Sequence, residues 1–64
     1  MRIDRKKLHV LMFDKEITSV ALAQKSSVSR ATICCVRSGK SCSDEVGQKI
    51  AKALGVDVNE LLER

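Results

Sequence analysis

The stretch Ser29-Arg30-Ala31-Thr32-Ile33-Cys34-Cys35 holds the side chains best suited to chemistry with a nucleic-acid base. The Arg30 guanidinium is a planar fork that can bond bidentately to guanine O6 and N7, worth about 1–3 kcal/mol of discrimination between bases. Its plainer role is a contact to phosphate alone. Ala31 can pack on a thymine methyl, and Ser29 places a hydroxyl at the tip of the same face. Cys34 and Cys35 are small and weakly polar, so they would read bases by apolar contact while letting a helix sit deep. Groups suited to phosphate oxygens flank this stretch: Thr18, Ser19 and Lys25 before it, Arg37, Ser38 and Lys40 after it. Thr18 serves equally well as a plain helix cap.

The elements that must position these groups are helical. With about 100° per residue and Ser29 set at zero, Ile33 and Val36 point near 40° and 340°, which defines the inward direction. Ala31, Cys34 and Cys35 then fall near 200°, 140° and 240°, facing away from it, with Arg30 on the flank. Upstream, Leu22, Ala23 and Val28 supply apolar positions, and Ser26-Ser27 breaks the preceding helix. Two short helices joined by a tight polar turn make a helix-turn-helix, whose second helix is built to enter a major groove.

The rest of the chain reads as helix as well. Asp4 caps a first helix over about residues 5–15, with Leu8 and Leu11 inward and Arg5-Lys6-Lys7 outward. Thr18 opens a second helix at about 19–25, and Ser29 opens a third that stops at Gly39. Ser43 opens a fourth, with Asp44 and Glu45 against its N-terminal dipole and Gly55 at its end. Asp57-x-x-Glu60 forms a capping box for a short last helix carrying Leu61 and Leu62. The expected fold is all-α, a compact five-helix bundle in one domain over residues 1–64. Gly47, inside the fourth helix, costs about 1 kcal/mol relative to Ala and predicts a close helix–helix approach.

Sixty-four residues with one Phe and no Trp or Tyr must build an aliphatic core and have no room for a deep substrate cavity. No paired acid and base, nucleophile motif or phosphate-cradling glycine loop is present, so an enzyme is not expected. The net charge of +4 is uneven. Residues 1–40 hold nine basic and three acidic side chains, a net of +6; residues 41–64 hold three and five, a net of −2. A basic lobe of this kind suits a polyanion. No apolar run exceeds four residues, Val20–Ala23 and Ile33–Val36 among them, so no membrane partner and a cytoplasmic location are expected. Cys34, Cys35, Cys42 and His9 are metal-ligating types, but their spacing matches no zinc motif and adjacent helical side chains diverge, so no metal is expected. A modified Cys34 thiol would obstruct docking of the helix that carries it. Cys42 is expected as a small buried anchor before the fourth helix, and His9 as an exposed residue without a role.

The whole chain resembles the Cro/cI-type helix-turn-helix proteins, the Xre-like, lambda-repressor-like group. Leu22-Ala23, Val28-Ser29-Arg30-x-Thr32-Ile33 and Ser38-Gly39-Lys40 match that group's central signature. Ile50-Ala51-Lys52-Ala53-Leu54-Gly55-Val56-Asp57-Val58-x-Glu60-Leu61-Leu62 matches its C-terminal one, and the likeness covers roughly residues 5–63. The resemblance implies a five-helix domain that binds double-stranded DNA as a homodimer on an operator. It implies a regulator of transcription, of the kind phages and conjugative elements often encode. A repressor is the expected function, with no cofactor and no small-molecule ligand evident. The resemblance places base contacts on Ser29, Arg30, Ala31, Cys34 and Cys35, and phosphate contacts on Ser19 and Lys40. The group commonly has Gln at position 19, Gly at position 27, and Gly or Asn at position 16. Ser27 therefore adopts a left-handed conformation at some cost, or the turn departs from the group's. Ser29–Lys40 with Ser43-Asp44-Glu45 is also similar to the lac-repressor headpiece, which lacks the helix expected at 5–15. A protein-interaction module, antitoxin-like or antirepressor-like, is the alternative function. The weak readers Cys34 and Cys35 favour it and the basic lobe opposes it.

Overall fold

Each α-helix begins where a short polar side chain takes over an orphan backbone N–H. A computed structural model describes residues 1–63 and builds α1 (Arg5–Asp14), α2 (Ser19–Ser26), α3 (Arg30–Arg37) and α4 (Asp44–Leu54). Asp4 accepts from Lys6 N at 2.9 Å, Thr18 from Ala21 N at 3.1 Å, Ser29 from Thr32 N at 3.2 Å and Ser43 from Val46 N at 3.2 Å. Each cap stabilises its helix by about 1 kcal/mol. The ends follow suit. Gly39 and Gly55 take positive φ after α3 and α4. Between α2 and α3 the left-handed residue is Ser27, at φ 59, so the tight turn survives without glycine.

The apolar positions converge on an aliphatic core of Ile3, Leu8, Met12, Leu22, Ala23, Val28, Ile33, Val36, Ile50, Ala51, Leu54 and Leu61. Helix α2 packs against both α3 and α4, and α1 packs against α3. In α1 the inward partner of Leu8 is Met12, one turn on, while Leu11 is half-buried at the rim. Gly47 is tight for a different reason from the one its helix position suggests. A Cβ there would collide with Met1 Sδ, so the first residue of the chain, and not another helix, occupies the space.

The fifth helix is replaced by a 3-10 turn over Val58–Glu60. Its capping box forms as expected, with Asp57 N donating to Glu60 Oε2 at 3.2 Å and Asn59 N to Asp57 Oδ1 at 2.9 Å. It stops because the backbone beyond it is already committed. Ile3 and Leu62 form an antiparallel bridge, Asp4 N donates to Leu61 O at 2.7 Å, and Glu63 N donates to Arg2 O at 3.0 Å. Carbonyls and amides used in this pairing cannot also close α-helical turns. The fold is therefore four α-helices and one 3-10 turn, and apart from that single bridge no strand occurs among the described residues.

Candidate nucleic-acid interface

Helix α3 divides as its periodicity predicts. Ile33 and Val36 are buried in the core, while Ser29, Arg30, Ala31, Cys34 and Cys35 are all exposed. Ser29 is doubly engaged, since its Oγ caps the helix and lies 2.9 Å from Thr32 Oγ1. The face is thus a single guanidinium set among small neutral groups.

The phosphate candidates do not form one cluster. Lys40 is exposed past the end of α3, and Ser38 beside it donates its hydroxyl to Cys34 O at 2.9 Å. At the start of α2, Thr18 is exposed and caps the helix, its O–H still free to donate. Spacing offers Arg37 as a direct phosphate ligand; the structure turns it inward. Its Nη1 donates to Ser19 Oγ, and its Nε is shielded with no partner among the described residues. Lys25 stands apart, lining a shallow depression with Ser26, Ser27, Lys49, Lys52 and Ala53.

Three cations that no local pattern assigned to this surface lie beside the end of α3. Arg2 Nη2 donates to Gly39 O at 3.3 Å, and the Arg5 side chain lies 3.7 Å from where a Cβ on Gly39 would stand. Arg2, Arg5, Lys6, Ser38 and Gly39 line one polar cleft, with Asp4 and Glu63 on its wall. The basic run Arg5-Lys6-Lys7 is legible as an outward-facing charge, but its proximity to the α3–α4 turn is a long-range fact. Lys7 differs from its neighbours, because its Nζ donates to Leu62 O at 3.1 Å.

The cysteines fall into two environments. Cys34 and Cys35 are exposed, whereas Cys42 is half-buried, with its N donating to Met1 O at 2.9 Å. Burial pushes the Cys42 thiol above its usual value; the Met1 amino group opposes the shift and the Asp44 carboxylate adds to it. His9 is exposed on α1. Among the described residues no three His, Cys, Asp or Glu side chains converge on a point, and no helix is long and apolar enough to cross a membrane.

A family model described as a Cro/C1-type HTH DNA-binding domain matches residues 7–64. No curated protein and no solved structure matches the chain.

Proposed function

The chain belongs to the Cro/C1-type helix-turn-helix DNA-binding family, and from that membership we propose a sequence-specific repressor of transcription that places α3 in the major groove. The observation that carries this reading is the outward face of α3, where Arg30 is the one charged side chain and the one able to bond a base bidentately. Ser29, Ala31, Cys34 and Cys35 complete the base-reading face. Thr18, Ser19, Ser38 and Lys40, with Arg2, Arg5 and Lys6, hold phosphates on either side of it, and Lys25 offers a further contact near the other end of α2. The role places the chain in the cytoplasm with the DNA and requires no catalysis.

Two copies are needed for useful recognition. An α3 of eight residues spans about 12 Å, enough for part of one half-site. Half-sites in a two-fold operator lie about 34 Å apart, beyond the 25 Å longest extent of the molecule. The test is selection from random duplex DNA, repeated with Arg30→Ala and at two salt concentrations. Enrichment of a palindrome that Arg30→Ala abolishes or relaxes supports the proposal; no binding at low salt overturns it. One observation favours the second reading, a protein-interaction module: Phe13 is 83% exposed and Val10, one turn before it, 57%. If duplex DNA is not bound, those two residues are where a protein partner should be sought.

A further inference from the structure

We propose that Arg37 is a positioning residue, tying the last turn of α3 to Ser19 in the first turn of α2 so that phosphate docking and base reading share one register. The inference rests on the DNA-binding reading above and gives Arg37 a role other than direct phosphate contact. The two ends of the tie lie 18 residues apart in sequence, and the Arg37 Nη1 to Ser19 Oγ hydrogen bond joins them across the motif.

The chemistry of this tie is unusual for a half-buried arginine. Among the described residues the ion pairs are Met1–Asp44, Arg2–Glu63 and Lys49–Glu45, and Arg37 is in none of them. Its Nε is shielded from solvent and unpartnered, an arrangement that folding by itself disfavours. A neutral hydroxyl is its acceptor, and the carboxylates of Asp14 and Glu16, which line the same hollow as Arg37, form no ion pair with it. Ser19 Oγ accepts from Arg37 and keeps its own hydrogen free to donate. Thr18 Oγ1 accepts from Ala21 N in the same way. The start of α2 therefore presents two adjacent O–H donors with occupied acceptor sides, and a guanidinium behind one of them strengthens its donation to an anion. Residues of helix α1 lie beside the same guanidinium. Hollows on either side of Arg37 are lined by Arg5 and Val10 on one flank, by Phe13 and Thr18 on the other, and by His9 on both.

The experiment is a double-mutant cycle of Arg37→Met and Ser19→Ala on the selected duplex, over a salt series, with Lys40→Ala as the comparator and thermal melts of each variant. Each single substitution is expected to weaken binding roughly 5- to 30-fold, and the double to lose no more than the larger single. Lys40→Ala should lower the slope of log K against log salt by about 0.9, and Arg37→Met by less than half of that. A slope change in Arg37→Met equal to that of Lys40→Ala would make it a direct phosphate ligand and overturn the inference. Losses that multiply in the double variant, or an Arg37→Met that binds normally, would overturn it too. If Arg37→Met does not fold, Arg37→Lys in the same cycle takes its place, keeping the charge without the guanidinium fork, and normal binding by either Ser19→Ala or Arg37→Lys overturns the tie. An unsubstituted protein that binds no duplex sinks the DNA reading as a whole, whereas failure of the tie alone leaves that binding intact.

Discussion

The outward face of α3 and its cap exposes Ser29, Arg30, Ala31, Cys34 and Cys35, a face with one charge, whereas the C-terminal end of the helix leads into Ser38, Gly39 and Lys40 with Arg2 and Arg5 close by. The first region is local, since every group on it comes from one helix and its cap. The second is assembled from the N-terminal segment and the α3–α4 turn. In the proposed function this separates the two parts of recognition. Discrimination rests on one guanidinium among small groups, and affinity rests on cations gathered from distant parts of the chain. It follows that substitutions confined to one region, away from the Arg37–Ser19 tie, should move one property and spare the other.

The largest expected effect comes from destroying what both regions stand on. Ile33 is fully buried beneath the reading face, so Ile33→Ala should cost about 2–5 kcal/mol, read as a fall in denaturation midpoint. In a domain this small that loss removes most of the folded population, and both discrimination and affinity should vanish together. Next, Arg30→Ala should cost about 1–3 kcal/mol on the selected site and relax preference at one base pair, with binding to unrelated duplex little changed. Equal losses on selected and unrelated DNA would put Arg30 with the phosphate contacts and dissolve the distinction between the two regions.

Smaller effects sharpen the same contrast. Ser27 holds a left-handed conformation that costs a residue with a Cβ about 1–2 kcal/mol, so Ser27→Gly should raise the melting temperature without moving sequence preference. Lys40→Ala or Arg5→Ala should weaken binding to all duplexes alike, each lowering the salt slope by about 0.9 or less. Arg5→Ala matters most here, because an unchanged slope would detach the N-terminal segment from the interface. The smallest effect concerns Cys42. Burial raises its folded thiol above the ordinary value of 9.0, so the stability it contributes is fully present below 9.0 and is lost as pH rises from there through the higher folded value. Melting temperature measured from pH 7 to 10 should therefore fall less steeply in Cys42→Ser than in the unsubstituted protein. Alkylation near neutral pH should reach exposed Cys34 and Cys35 before Cys42 and abolish DNA binding.

What could be read from the residues in order is what short-range physics controls. Asp4, Thr18, Ser29 and Ser43 cap the helices they were expected to cap, because a side-chain oxygen reaching an amide two or three residues on needs nothing from elsewhere. The inward and outward faces of α3 follow from 3.6 residues per turn in the same way. The match over residues 7–64 agrees with the signatures read at Val28–Lys40 and Ile50–Leu62.

Tertiary structure alone decided the rest. The last segment has a sound capping box, yet its helix is cut to three residues because Leu61, Leu62 and Glu63 pair with Arg2, Ile3 and Asp4 at the opposite end of the chain. Gly47 is crowded by Met1, Arg2 reaches Gly39 across 37 residues, and Arg37 turns from solvent to Ser19 across 18. Periodicity and capping act over three or four positions, so they place a cation on a face but are silent on which distant group it meets. That meeting depends on how the helices pack, and the packing sorted this chain's cations into those left exposed, such as Arg30 and Lys40, and those, such as Arg37 and Lys7, that are engaged by partners within the molecule.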